Sequence, residues 1–378
     1  MRRLPLLALA ALAVAGGLYW AWSGSDTAAP ARLDRYAALL AELEELPGDG
    51  FPGPPPGWTP EFPRDHGDHA GSRMESWALA AHLTTADGET LGLQLSFLRL
   101  GIVAPGAPAP RSIWEVRELD RAHVALVAAA GAQAIGEERF GRGIPGLGGY
   151  DATEGAVRLD GWFLRFDSDE ARGHMTLHAT VSDKAGIDLT LRAEKPVLAL
   201  APEGAPFAGY AFPRLSAQGT IDRGNGTESV TGTAWLDHLW GELPLPGSRP
   251  VATDRLQLQL DDGTDLSLIR TRRADGTGPA ALDGFAVAPD GTASALDGDS
   301  LRMTARRIWR DPVTGTDYPV SWQIEGPGLD LVVEPLVDAQ AFDTAVPVWS
   351  GTVRARGRHA GAETSGGGTL QLTGYGAR

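Results

Sequence analysis

Trp235-Leu236-Asp237-His238-Leu239-Trp240-Gly241 is the stretch of this chain best equipped for chemistry: an acid and an imidazole side by side, flanked by two indoles. If the stretch is extended, alternate side chains share a face. His238 and Trp240 then point one way, and Trp235, Asp237 and Leu239 the other. Asp237 reaches the His238 face only if a bulge re-aims it. An ionisable ring beside a large aromatic face suits an apolar pocket that needs one proton donor or acceptor. The plainer alternative is a β-core filled by these residues, with His238 hydrogen-bonded to backbone.

Glu75 and Trp77 repeat the i, i+2 arrangement. A Glu held beside a Trp in apolar surroundings should have a raised pKa and deliver a proton near neutral pH. Otherwise it is a strand carboxylate paired with Arg99 or Arg139. Asp254 is a further candidate acid, with a solvated turn residue as its alternative reading. His66-Gly67-Asp68-His69 offers two imidazoles with Asp65 or Asp68 nearby, yet no other His or Cys cluster completes a metal-ligand set. A pocket-lining role for His66, with no metal, is the expectation. Gly141-Arg142-Gly143-Ile144-Pro145-Gly146 has the form of a dinucleotide fingerprint. The Leu147-Gly148-Gly149-Tyr150 that follows reads as loop, where a helix would be required. Walker A, H-E-x-x-H and G-x-S-x-G motifs are all missing, so no cofactor is expected.

These side chains need a scaffold, and the composition says which kind. Of 378 residues, 49 are Gly and 27 Pro, which favours many turns over long helices. The formal net charge of −15 argues against nucleic acid and anionic membrane surfaces as main partners. Cys is absent, so neither disulfides nor lipoprotein attachment is available. Arg2 and Arg3 precede an uncharged run from Leu4 to Trp22, and Ala29-Pro30-Ala31 offers an A-x-A-like cleavage site. This start reads as a signal peptide or as an anchor through residues 4–22, with the rest exported to the periplasm or cell envelope. Arg32–Glu45 has the spacing of one amphipathic helix, and Phe51–Pro63 is a Pro-rich tether carrying Trp58.

From about Arg73 the pattern alternates. Ala78–Leu83, Asp87-Gly88 and Leu91–Leu95 predict a hairpin, and Leu256–Leu260, Asp262-Gly263 and Leu266–Leu268 repeat it. Further strands are predicted at 157–166, 174–181, 187–191, 321–324 and 329–333, with a domain break in the Gly/Pro/Ala-rich Ala201–Gly209.

Several segments, in order, resemble the family that holds bacterial carotenoid 1,2-hydratases and AttH-like secreted proteins. They are Phe62-Pro63-Arg64-Asp65-His66-Gly67, Met74-Glu75-Ser76-Trp77, the Asp237-His238 stretch, Trp309-Arg310-Asp311-Pro312 and Leu372-Thr373-Gly374-Tyr375. The resemblance implies an all-β protein of two consecutive lipocalin-like barrels or sandwiches, at residues 64–203 and 204–378. Residues 1–31 are then signal or anchor, and 32–63 helix and tether. It places Glu75 in the first domain and His238 in the second. Departures exist: Met74-Glu75-Ser76-Trp77-Ala78 stands where AttH-like proteins read Thr-Glu-Trp-Trp-Tyr, and Leu268-Ile269-Arg270-Thr271 lacks the Tyr and Asp of the hydratase branch.

The resulting expectation is an exported protein that binds a hydrophobic small molecule of isoprenoid or polyene type. Acid/base hydration would be carried by Asp237, His238, Glu75 and Asp254, with Trp77, Trp235, Trp240 and His66 lining the ligand site. The alternatives are a non-catalytic envelope protein that binds lipid or works beside a transporter, and a secreted hydrolase.

Overall fold

The computed structural model describes residues 50–109, 115–143, 148–167, 173–181, 184–201, 205–224, 226–242, 251–342 and 348–376, with Ser112 and Thr344. The expected signal or anchor at 1–31 and the helix at Arg32–Glu45 lie outside the described residues. Alternating apolar residues, punctuated by Gly-containing turns, give strands almost throughout. In the first half these are β1 (Met74–Thr85), β2 (Thr90–Gly101), β3 (Glu118–Ala128), β4 (Gln133–Gly141), β5 (Gly148–Asp151), β6 (Ala156–Leu159) and β7 (Trp162–Phe166). They continue in β8 (His174–Val181), β9 (Ala185–Ala193), β10 (Leu198–Ala199), β11 (Phe207–Asp222) and β12 (Thr227–Gly241). The second half holds β13 (Val251–Leu260), β14 (Asp265–Arg273), β15 (Ala281–Val287), β16 (Ala293–Leu296) and β17 (Arg302–Arg310). It ends in β18 (Asp317–Gly326), β19 (Leu329–Pro335), β20 (Val348–His359) and β21 (Ala362–Thr373).

The strands form two antiparallel sheets. The first runs β4-β3-β2-β1-β12-β11-β9-β8-β7-β6-β5 and curls into a nearly closed barrel. The second runs β16-β15-β14-β13-β21-β20-β19-β18-β17 and forms a curled half-barrel. Period-2 patterning explains both cores. On β1 the odd positions Trp77, Leu79, Ala81 and Leu83 face the first core, joined from β12 by Ala234, Leu236 and Trp240. Leu256, Leu258, Leu260, Leu266 and Leu268 fill the second core against Val320, Trp322 and Trp349.

Three sequence expectations change here. The division between domains falls between Gly241 and Val251, because β11 and β12 complete the first sheet; the 203/204 boundary cut that sheet in two. A Gly/Pro-rich stretch such as Ala201–Gly209 marks a connection, but not which sheet the next strand joins. The single strand expected over 157–166 is a hairpin, turned at Asp160 and Gly161, both of which have positive φ. Gly148-Gly149-Tyr150 opens β5 where loop was expected, so strand and not helix lies beyond Gly141-Arg142-Gly143. Ile144–Leu147 lie outside the described residues.

The sheets join through their outward faces. Asp237 on β12 accepts hydrogen bonds from Arg255 and Gln257 of β13, and Gln259 donates to the Pro213 and Ala234 carbonyls. The bulge in β11 between Phe212 and Leu215, where Pro213 sits without an N–H to offer, turns Arg214 toward the second sheet.

Candidate active site in the mouth of the first barrel

β1 and β12 lie side by side in a register that sets Trp77 opposite His238 and Glu75 opposite Trp240. All four point inward at one end of the barrel, and all are buried. On the far side of β12, Tyr210 of β11 lies opposite His238; on the far side of β1, Arg99 of β2 lies opposite Glu75. Strand pairing alone thus assembles an acid, a guanidinium, an imidazole, a phenol and two indoles.

Glu75 is the hub. Its Oε1 accepts from His238 Nε2 at 2.8 Å and His69 Nδ1 at 2.7 Å, and its Oε2 from the His69 backbone N–H at 2.8 Å and Arg99 Nε at 3.2 Å. Burial pushes the carboxyl pKa up. The hydrogen bonds from His238 and His69, with the charge of Arg99, outweigh that and hold it down to about 2. Glu75 is therefore a carboxylate, which corrects the expectation of a proton-delivering acid with a raised pKa. Trp77 is beside it, but Trp supplies only desolvation, whereas four donors surround the oxygens. The His238 pKa is lowered as well: burial outweighs the pull of Glu75 and favours the neutral ring.

Aromatic stacking fixes the rings. Trp77 lies on His238 with centroids 4.4 Å apart, and Trp240 lies flat on His69 at 3.5 Å. Tyr210 meets His238 edge-on at 5.2 Å, and its hydroxyl is 2.7 Å from His66 Nδ1. Burial pushes the Tyr210 pKa well above the phenol range, so the hydroxyl keeps its proton. His66 is sandwiched between Phe62 and Phe166, and its carbonyl accepts from Trp77 Nε1.

The Pro-rich tether closes this mouth. Trp58 packs edge-on against Trp240 at 4.8 Å and donates through Nε1 to Asp65. Asp65 also accepts from Arg64 and from the Glu61 N–H. Arg99 Nη2 pins the end of the segment through the His69 and Ser72 carbonyls. Two small cavities each measure about 10 Å³, room for one water. One lies behind Trp77, lined by Phe97, Arg99 and Asp120; neither includes His238.

His69, Glu75 and His238 present donor atoms within 4.8 Å of one another and are the residues here that could hold a cation. Both imidazole nitrogens meet the same carboxylate oxygen, at 2.7 and 2.8 Å. Ligand atoms of a tetrahedral zinc site with bonds near 2.0–2.1 Å stand roughly 3.3 Å apart. The spacing is that of hydrogen bonds. His66, expected to pair with His69 if anything did, turns to Tyr210 instead.

The structure therefore brings together Glu75, Trp77, His238, Trp240 and His66, and leaves out three expected residues. Asp237 and Trp235 occupy the opposite face of β12, as strand geometry requires without a bulge there. Trp235 Nε1 donates to Asp237, and Asp237 pairs with Arg255 at 2.7 Å across the sheet junction. Asp254 is buried in the second sheet, where Arg270 and Arg272 hold it. Sequence reasoning missed Tyr210, since only the β11–β12 register connects it to His238. It also missed His69 as a partner of Glu75, because a loop before β1 must fold back over the strand.

Residues 54–375 match the AttH-like family. Among solved structures, an AttH protein of Nitrosomonas europaea is 27% identical, with a TM-score of 0.72, over 85% of this chain and 99% of that one. Kievitone hydratase of Nectria haematococca shares the fold at 14% identity and a TM-score of 0.63, over 86% of this chain and 94% of that one. No curated protein matches the sequence. With a match spanning both sheets and the mouth of the first barrel, this chain belongs to the AttH-like family.

Proposed function

We propose that this protein is an exported enzyme that adds water to an unsaturated hydrophobic small molecule of isoprenoid or polyene type, or removes it, using Glu75 and His238. The observation that carries the reading is a hydrogen-bonded carboxylate–imidazole pair in which both side chains are 0% exposed. A buried carboxylate held by polar partners seldom adds stability over well-packed apolar residues. Its place among Trp77, Trp240 and Tyr210 is better explained by proton chemistry.

The ionised Glu75 accepts the Nε2–H of His238, which orients the ring and leaves Nδ1 as the basic atom. Nδ1 is buried against the Asp65 backbone, which must move aside with its segment before water reaches this atom. It takes a proton from water as the water oxygen bonds to the substrate carbon. The π electrons move toward a conjugated group, steadied by the Tyr210 hydroxyl, and His238 returns the proton to the neighbouring carbon. With Glu75 ionised and Tyr210 a weak acid, the site is stronger as a base than as an acid. It favours a double bond polarised by conjugation over an isolated alkene. Entry displaces the Trp58–His69 segment, which fills the mouth in this structure. That a protein of the same fold is named a hydratase agrees with this reading.

The test is a panel of conjugated isoprenoid and polyene substrates in ¹⁸O-labelled water. A product carrying the labelled oxygen is expected from the wild type and lost in Glu75→Gln and His238→Ala. No label in any product, with lipid co-purifying in native mass spectra, would establish the non-catalytic lipid-binding alternative. Export is tested separately: deleting residues 1–22 should move the protein to the cytoplasm, and a full-length chain that already fractionates there defeats the proposal.

A further inference from the structure

The mouth of the second, half-open barrel repeats part of the first. Glu75 of β1 stands opposite Arg99 of β2, and Asp254 of β13 stands opposite Arg270 of β14. Each is a fully buried acid on the first strand of an Asp-Gly hairpin, paired with an Arg on the second. The surroundings then diverge. On β12 the residue opposite Glu75 is Trp240, with His238 two positions before it, whereas on β21 the residue opposite Asp254 is Leu372. In place of imidazoles the second mouth carries another guanidinium, Arg272, 3.5 Å from Asp254 and 3.9 Å over the Tyr375 ring. Arg270 Nη1 donates to Asp254 at 2.7 Å while its guanidinium lies 5.5 Å from the Trp322 ring. Tyr318 lies between Trp309, on which it stacks at 6.4 Å, and Tyr375, whose ring is tilted to it at 5.7 Å.

We infer that this mouth is a second binding site, for a planar apolar molecule bearing a carboxylate or phosphate. Two guanidinium groups share the single carboxylate of Asp254, and Asp311 is close enough to Tyr318 for its charge to be felt there. The indole Nε1 of the 2%-exposed Trp322 is buried with no hydrogen-bond partner among the described residues, and Arg272 Nε has only its 3.5 Å contact with Asp254. The Tyr375 hydroxyl hydrogen-bonds to Asp254, and burial pushes its pKa above the phenol range. Arg272 also donates Nη2 to the Thr373 carbonyl, and Arg270 pairs with Asp254. The Arg270 side chain is 27% exposed, so the site is reachable from solvent, unlike the first mouth. An oxyanion would take the spare guanidinium and indole N–H groups, and the flat body would lie against Trp322, Tyr318 and Tyr375. Arg supplies the planar fork that suits such groups.

The experiment is a calorimetric titration of the full-length protein with 2-naphthoate and 2-naphthyl phosphate, with 2-naphthylmethanol as the neutral control. Both anions should bind, more weakly as salt rises, and the alcohol should not. Arg270→Gln should weaken binding roughly tenfold or more. Trp322→Phe keeps the ring plane, loses the N–H and should weaken it roughly threefold to tenfold. Trp322→Phe and Arg272→Lys decide the matter if Arg270→Gln fails to fold. Which anion binds more tightly distinguishes a carboxylate from a phosphate ligand. No binding by the wild type, binding unchanged in the folded variants, or loss of binding in His238→Ala instead would each overturn the assignment. A failed ¹⁸O experiment at the first mouth leaves these results unaffected.

Discussion

Glu75→Ala should abolish turnover and cost on the order of 3–5 kcal/mol of stability, the range for removing one partner of a buried ion pair. The size follows from what the carboxylate holds. Four donors converge on it, from His238, His69 twice, and Arg99, and the 5%-exposed Arg99 would be left with the more distant Glu118 at 3.8 Å. Glu75→Gln keeps the shape and should fold better while still losing turnover, because an amide cannot hold the Nε2–H tautomer of His238 with a full charge. The pH dependence gives a second reading. A carboxyl held at about 2 in place of 4.5 contributes stability that is complete above the unfolded value and fades as pH falls from about 4.5 toward 2, roughly 3 kcal/mol in all. His238 acts in the same direction: its folded pKa is lowered by burial, so on acidification the unfolded ring takes up the proton first. Urea denaturation at pH 7, 4 and 2.5 should show a loss in the wild type that steepens below pH 4.5 and a shallower one in Glu75→Gln. Equal slopes, with a stability difference under about 1 kcal/mol, would remove Glu75 from the centre of the mouth.

How far this site was legible in the sequence depended on how many strands an inference had to cross. His238 with Trp240, and Glu75 with Trp77, are same-strand pairs, and period-2 geometry alone puts each pair on one face. The same rule correctly sends Asp237 and Trp235 outward. What lay between the pairs was the β1–β12 register, a contact between residues far apart in the chain, and no local pattern encodes it. The domain break illustrates the same limit. The Gly- and Pro-rich stretch near residue 205 does mark a connection, but β11 and β12 turn back to close the first barrel, a topological choice made by the strands beside which they fit. The sign of the Glu75 pKa shift was misjudged because the sequence displays the neighbouring indole and conceals the donors. Asp160-Gly161, by contrast, was a readable turn, overlooked inside a stretch rich in apolar residues on both sides.

Asp265→Ala should be the most damaging change at the junction between the sheets, costing about 3–5 kcal/mol. Asp265 is 0% exposed and holds two cations delivered by the first sheet, Lys195 just beyond β9 and Arg214 from the β11 bulge, each at 2.7 Å. Both cations also cap carbonyls of the second sheet: Lys195 donates to Gly263 and Val287, and Arg214 to Leu260 and Thr264. The Asp-Gly hairpin that recurs in the sequence is thus the socket into which the first barrel plugs. Burial pushes the Asp265 pKa up in spite of the two cations, which shows how much desolvation offsets the attraction here. Two results follow from that opposition. Removing the acid alone strands Lys195 and Arg214 in a buried junction, which is where the large cost arises. Replacing all three together, as Lys195→Met, Arg214→Met and Asp265→Leu, should recover most of it, since apolar side chains of similar volume need no compensation for lost hydration. Urea unfolding of the single and triple variants measures both effects. If the junction couples the barrels, Asp265→Ala should also split one cooperative transition into two, because the sheets would then unfold separately. A single variant within about 1 kcal/mol of wild type, or a triple variant worse than the single, would place the coupling elsewhere, with the Asp237–Arg255–Gln257 contacts as the next place to look.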